Sequence, residues 1–290
     1  MTKPSIAIIG AGKVGSALGI LLQGRGYPVT AVAGLDWQAA EQLADSLHCP
    51  VLSNQEAAAR AELVFITIPD RNIASVATEI AGAGVLRPGQ IVAHTSGACP
   101  AGELKGVHET GALAVSVHPL QSFAEVQAAI ENLPGSYFAL EGDANALPLA
   151  KQVVEDLDSK WFIISAADKP LYHAAACIAS NYMVALMHFA TDIYAKFGLA
   201  PQEAFTALYP LVQGTVANIA KVGPTQALTG PVARGDSTTI AGHIKALQEH
   251  DPQLLKLYGT LGQYTIKVAL AKGGINSSQG EELDQIFRQK

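Results

Sequence analysis

The stretch "SIAIIGAGKVGSALGILLQGRG", residues 5–26, decides how the rest of the chain is read. Its opening, Ile6-Ala7-Ile8-Ile9, is short, apolar and β-branched, the composition of a strand buried on both faces of a parallel sheet. Gly10, Gly12 and Gly15 follow in GxGxxG spacing, and residues 14–23 read as a helix that stops at the breaker Gly24-Arg25-Gly26. In such a turn one glycine permits the tight bend, one lets backbone N–H groups approach a pyrophosphate, and one allows close helix-to-strand contact. Glycines in a βα turn also serve packing alone. Here the strand and helix flank them correctly, so Gly10, Ala11, Gly12, Lys13, Val14 and Gly15 are expected to bind a dinucleotide.

Working outward, the next strand, Val29–Ala33, leads to Gly34-Leu35-Asp36. Asp36 either contacts an adenosine ribose or caps the helix carrying Ala39, Ala40 and Leu43. A strand at 63–68 ends in Pro69-Asp70, and one at 90–93 ends in His94-Thr95-Ser96-Gly97. Ligands of open α/β sheets sit outside the carboxyl ends of strands, which adds Pro69, Asp70, Thr95 and Ser96 to the expected cofactor residues. Asp70 is equally a helix cap, and Ser96-Gly97 is either a plain turn or a hydroxyl and N–H group that hold a substrate oxygen. Strands at 113–117, 137–140 and 161–164, the first leading into His118-Pro119, complete a doubly wound, mostly parallel sheet over residues 1–166.

Residues 167–290 read as an all-α domain. "LYHAAACIASNYMVALMHFATDIYAKFG", residues 171–198, reads as one unbroken helix that is apolar nearly all round and so buried within its domain. Lys169, His173, Ser180 and Asn181 fall on or near one side of it. A buried histidine is usually a satisfied core residue, but imidazole, hydroxyl and amide on one stripe beside a cofactor cleft favour a catalytic role for His173. A helix from Pro201 is expected to kink or restart at Pro210. Asp236 or Ser237 caps a later helix, and Arg234 before it is a surface arginine or a carboxylate clamp. A last long helix spans 252–272, and the polar tail beyond Gly273-Gly274 is expected to be partly loose.

The 290 residues suffice for two domains. Nineteen basic against 25 acidic residues, with no basic run, leave no footprint for nucleic acid or an anionic membrane. No signal peptide and no bilayer-length apolar stretch are read, so a cytoplasmic protein is expected. Cys49, Cys99 and Cys177 fit neither a disulfide framework nor a metal cluster.

Taken together, "IIGAGKVGSAL", "VFITIPD", "AHTSGA", "VSVHPLQSF", "YHAAACIASNY" and "LTGPVARGDSTTIAGHIKAL" resemble a family that joins a Rossmann-like domain to a helical domain of unknown function. That family is similar in plan to 6-phosphogluconate dehydrogenase, pyrroline-5-carboxylate reductase and the deazaflavin-linked NADP oxidoreductases. The resemblance implies a nicotinamide dinucleotide, NADP or else NAD, and a 6-phosphogluconate-dehydrogenase-like helical C-terminal domain that forms a homodimer. In the hydroxyacid dehydrogenase relatives a lysine and an asparagine one turn apart serve catalysis. Here Lys169 is followed one turn later by His173, and Asn181 comes later, which makes His173 the better acid/base candidate. His118-Pro119 is similar to the His-Pro element of prephenate dehydrogenases.

The leading functional expectation is an NAD(P)-dependent oxidoreductase acting on a small carboxylate-bearing hydroxy acid, keto acid or imine. His173 or His118 is its acid/base, an imidazole titrating near neutral pH, and Ser96, Ser180, Asn181 and Arg234 hold substrate oxygens. The rival is a dinucleotide-binding sensor or assembly protein without turnover.

Overall fold

The computed structural model describes residues 3–250 and 252–288 and divides into two compact units, Met1–Tyr182 and Met183–Lys290. In the first, β1 (Ile6–Ile9), β2 (Val29–Ala33), β3 (Leu63–Ile66), β4 (Ile91–His94), β5 (Leu113–Pro119), β6 (Tyr137–Gly142) and β7 (Lys160–Ile163) form one sheet ordered β2-β1-β3-β4-β5-β6-β7. Strands β1 to β5 are parallel, β6 is antiparallel to β5, and β7 is parallel to β6. The register aligns Ile9, Ile66, His94 and Ser116 in one row, so the chain leaves β1, β3 and β4 together at one edge.

Helices α1 (Lys13–Gly24), α2 (Trp37–Leu47), α3 (Asn54–Ala59), α4 (Ile73–Gly82), α5 (Val126–Asn132), α6 (Leu147–Asp156) and α7 (Lys169–Ala179) complete this unit. Side chains alternate across a strand. Ile6 and Ile8 accordingly pack with Leu18, Leu22, Phe65 and Phe138 on one face, while Ala7 and Ile9 pack with Val64, Ile66, Ile73 and Ile80 on the other. Asp36 takes the capping role: its carboxylate accepts from Ala39 N (3.1 Å) at the start of α2. Asp70 does not cap α4. It opens a 3-10 turn, Asp70–Asn72, ahead of that helix and makes no capping bond.

The second unit is helical: α8 (Asn181–Ala195, whose first two residues belong to the first unit), α9 (Pro201–Gln226), α10 (Pro231–Arg234), α11 (Ser237–His250), α12 (Pro252–Lys272) and α13 (Ser277–Phe287). Its core gathers Val232, Ile240, Ile244, Leu255, Ile266, Leu283 and Phe287. Asp236 caps α11, accepting from Thr239 N.

Four expectations are corrected here. The helix read through 171–198 breaks at Ser180, where φ is −112° and ψ −70°, and it is not buried. Leu171 is 76% and Val184 70% exposed, and Lys169 and Thr191 alone are buried along α7 and α8. An all-round apolar helix predicts a cover, which the described residues do not supply. Helix α9 runs through Pro210 and kinks instead at Gly223, whose φ of 81° is left-handed and whose successor is Pro224. The tail is helical over its described residues: Asn276 and Gln279 form a capping box for α13, which buries Leu283 and Phe287. Finally, Ala166–Ala195 is long and apolar enough, with a mean hydropathy of 1.3, to cross a bilayer by length and composition.

The pattern change at 166/167 is where helices take over, whereas the compact units divide at 182/183. The difference is α7, whose first residue is anchored in the sheet.

Candidate active site

Strand β5 and helix α7 build one wall together. Ser116 and His118 are two apart on a strand and share its face, and Lys169 and Tyr172 are three apart on a helix and share its side. These pairs meet. Lys169 Nζ donates to Ser116 Oγ (2.6 Å) and to Ser96 O (3.2 Å), and the Tyr172 hydroxyl lies 2.6 Å from His118 Nδ1. Lys169 is fully buried, and burial pushes its pKa down, against the pull of Glu141. One ammonium thus pins the β4 loop, β5 and α7 to each other.

That loop is braced from below by His94, which is fully buried. Ser96 N donates to its Nδ1 (3.2 Å), so the proton sits on Nε2, which donates to Pro100 O (3.1 Å). The Ser96 hydroxyl accepts from Ala98 N (3.2 Å) and Cys99 N (3.0 Å), which makes it the organiser of the turn. Gly97 follows, buried. A Cβ there would stand 2.6 Å from His173 Cδ2 and 2.7 Å from His118 Nε2. Only a glycine lets the two imidazoles close on this loop, with ring centroids 6.1 Å apart and planes at 80°.

The rings line a cavity of about 640 Å³ with Leu120, Gln121, Ser122, Phe123, Phe162, Tyr172, Cys177, Ser180, Asn181 and the small Ala175, Ala176 and Ala179. No lysine, arginine, aspartate or glutamate is among them. His118 Nε2 has no protein partner among the described residues, and the polar neighbour of His173 is Cys177 Sγ at 3.9 Å. Burial, seconded by the positive charge of Lys169, holds the His118 pKa down at about 4, so this ring is neutral at pH 7.

His94 is held at about 4 for the same first reason. Both values lie below the ~6.5 of an unfolded histidine. Below pH 6.5 the unfolded chain therefore binds protons that the folded one refuses, and stability falls as pH drops from 6.5 towards 4. Urea unfolding of the wild type is expected to show a midpoint that declines between pH 6.5 and 5, before most carboxylates titrate. A midpoint flat over that interval would contradict the assignment.

A second cavity, of about 450 Å³, opens at the β1/β3 switch point of the sheet. It is lined by Gly10, Ala11, Gly12, Gly34, Asp36, Asn54, Thr67, Ile68, Pro69, Asn72, Ser75 and Glu79, among others. The three glycines behave differently. Gly10 has φ of +115°, and a Cβ on it would meet Thr67 O at 2.7 Å; a Cβ on Gly15 would overlap Gly10 O. A Cβ on Gly12 would meet nothing within 4 Å, and α1 begins there with no side-chain cap. The first-turn N–H groups of α1 are left for an external anion, beside open space. That is the donor set a pyrophosphate needs.

The structure thus brings His118, His173, Ser180 and Asn181 together in one cavity and Gly10, Ala11, Gly12 and Pro69 in another. Lys13, Val14 and Gly15 form the first turn of α1 without lining the second cavity, and Asp70 and Thr95 line neither. Ser96 is occupied within its turn. Arg234 ends α10 in the second unit. Sequence reasoning missed Tyr172 and Ser116, and it read Gly97 as an N–H donor rather than as the space the two imidazoles need. The i+3 spacing from Lys169 to Tyr172 and the alternation Ser116/His118 were the available signals.

A doubly wound sheet with a glycine turn at its switch point, followed by a helical unit, defines a Rossmann-like two-domain protein. Family comparison agrees: residues 1–119 match the Rossmann-like domain, and residues 136–265 match DUF2520, a domain of unknown function. Among solved structures the chain is similar to protein TM1727 from Thermotoga maritima (28% identity, TM-score 0.75, covering 92% of this chain and 99% of that one). It is also similar to 1-pyrroline-5-carboxylate reductase from Streptococcus pyogenes (20%, 0.63, 98% and 100%) and to pyrroline carboxylate reductase from Plasmodium falciparum with NADP bound (15%, 0.61, 99% and 99%). These bear out the expected fold and its likeness to pyrroline-5-carboxylate reductase. Comparison with curated proteins found no match.

Proposed function

We propose that the protein is an NAD(P)H-linked reductase that moves a hydride between nicotinamide and the carbon of a small carbonyl or imine compound. The observation that carries this reading is Gly12: its side-chain position is empty, beside uncapped N–H groups at the switch point of the sheet. The dinucleotide supplies the hydride when bound. The chain supplies the rest. The Gly10–Gly12 turn binds phosphate, His173 gives or takes one proton at the reacting oxygen or nitrogen, and Ser180 and Asn181 orient the substrate. In the reducing direction carbon gains the hydride, its π electrons pass to the heteroatom, and the proton from an imidazolium neutralises that atom. A sensor has no use for two imidazoles, a hydroxyl and an amide on one wall, which favours the enzyme over the rival.

NADP(H), the cofactor bound in the Plasmodium structure, is the first assignment and NAD(H) the second. Saturable enhancement of nicotinamide fluorescence on titrating NADPH and NADH tests the reading; absence of binding by both overturns it. No lysine or arginine is among the residues lining the cavity beside Gly34 and Asp36, so the ratio of the two dissociation constants is expected to lie within about tenfold.

We also propose a homodimer. Met183, Val184, Tyr209, Leu211, Val216 and Val222 on α8 and α9 are all more than two-fifths exposed, apolar side chains that a second copy of the chain would cover. Light scattering at micromolar concentration is expected to give twice the chain mass of 30.2 kDa. A monomer mass would refute it.

A further inference from the structure

We infer that Tyr172 donates its hydroxyl hydrogen to His118 Nδ1, fixing the proton of that ring on Nε2, so that the cavity offers the reacting group a hydrogen-bond donor and takes a carbonyl rather than an iminium substrate. This rests on the reductase reading and narrows it.

The geometry admits two arrangements across the 2.6 Å contact. If His118 Nδ1–H were the donor, the Tyr172 hydroxyl hydrogen would have no acceptor among the described residues, because His118 is its one partner there. If the phenol donates, its hydrogen and the Nδ1 lone pair are both used and His118 Nε2–H alone is left for a ligand, and a phenol is the better donor of the two. The pair is uncharged: burial holds the Tyr172 pKa up at about 12 while His118 stands at about 4. The edge-on packing of the rings, 5.6 Å apart, and the contact of Phe162 behind Tyr172 at 5.8 Å hold the phenol on line.

His118 Nε2 then carries hydrogen beside Gly97, in a ring that lines the cavity, with no protein acceptor among the described residues. A carbonyl oxygen has lone pairs to receive it, and more of them as negative charge develops on oxygen during reduction. An iminium nitrogen carries its own hydrogen and a positive charge, so it would set donor against donor. Tyr172 is therefore a positioning residue that acts through His118.

The test uses the full-length protein with 15N-labelled histidine, saturated with NADP+, and two probes: cyclohexanone as ketone and 2-methyl-1-pyrroline, at a pH where its nitrogen is protonated, as cyclic iminium. In the wild type, His118 is expected to show a protonated Nε2 and an unprotonated Nδ1, and cyclohexanone, but not the iminium, to shift the Nε2 signal. In Tyr172→Phe the two tautomers mix, and both nitrogen signals move to intermediate positions, with NADP+ affinity within twofold of wild type. Turnover of a reducible ketone is expected to fall about tenfold, less than the ~10²–10³-fold loss of an oxyanion donor outright. A protonated Nδ1 in the wild type, or a response to the iminium and not to the ketone, overturns the inference. A protonated Nε2 with a ketone response, but no reduction of any probe by NADPH or NADH, supports this assignment and removes the reductase reading instead.

Discussion

Gly12→Asp is expected to leave the protein as stable as the wild type, or slightly more so, while weakening NADPH binding at least a hundredfold. The backbone at Gly12, with φ of −76° and ψ of −175°, is open to any residue, and nothing stands where the new side chain would go. Aspartate is a favoured N-cap, worth a few tenths of a kcal/mol over glycine, and α1 lacks a cap. The same carboxylate would occupy the pyrophosphate site. A like charge at about 4 Å costs on the order of 4 kcal/mol at an effective dielectric near 20. Gly15→Ala supplies the contrast, since its methyl overlaps Gly10 O and the fold itself should lose on the order of 1–3 kcal/mol. Thermal unfolding and nicotinamide fluorescence on the two variants separate phosphate approach from packing. Undiminished affinity in Gly12→Asp would refute the site.

His173→Gln is expected to keep the fold and dinucleotide affinity and to lose roughly 10²–10⁴-fold in turnover, the range for a missing general acid/base. His173 has little structural duty: its polar neighbour is a cysteine sulfur at 3.9 Å, and its other partner is the edge of His118. Glutamine is similar in length and can hydrogen-bond, but it cannot carry the proton. A melting temperature within about 2 °C of wild type, with turnover measured on the substrate found by a carbonyl and imine screen, is the expected pair of results. A structural histidine would show the reverse, a lower melting temperature with proportionate activity.

All seven strands are legible in the chain because short runs rich in β-branched or aromatic residues between turn residues have few other uses in such a sheet. The glycine turn is legible for a similar reason. The long helix was misread because periodicity says which side chains avoid water, not which body excludes it. Leu171 and Val184 look like core in a list of residues and stand open in a single chain. Ser96 reads two ways in the sequence because a serine beside a glycine loop either greets a ligand or ties the loop, and the two uses share one pattern; in the structure its hydroxyl accepts from the turn. The meeting of His118 with Tyr172 and His173 depends on how α7 docks on β5, a contact between residues more than fifty positions apart that no local pattern carries. Tyr172 stood next to the histidine already singled out, and its partner could be named only from the fold.

The anchoring of α7 bears on how the protein can be taken apart. Every residue described as lining the two cavities lies before Met183, so a chain ended after Tyr182 keeps both sets of walls. A chain ended after Ala166 does not. It strips Lys169 from Ser116 and from the Ser96 carbonyl, takes Tyr172 from His118, and leaves a buried hydroxyl and a loop without their brace. In modular terms the interchangeable part is the helical unit alone, and the first helix after the sheet travels with the sheet. A chimera that exchanges the helical unit for that of a relative should therefore be spliced after Tyr182, which leaves the described walls of both cavities in place.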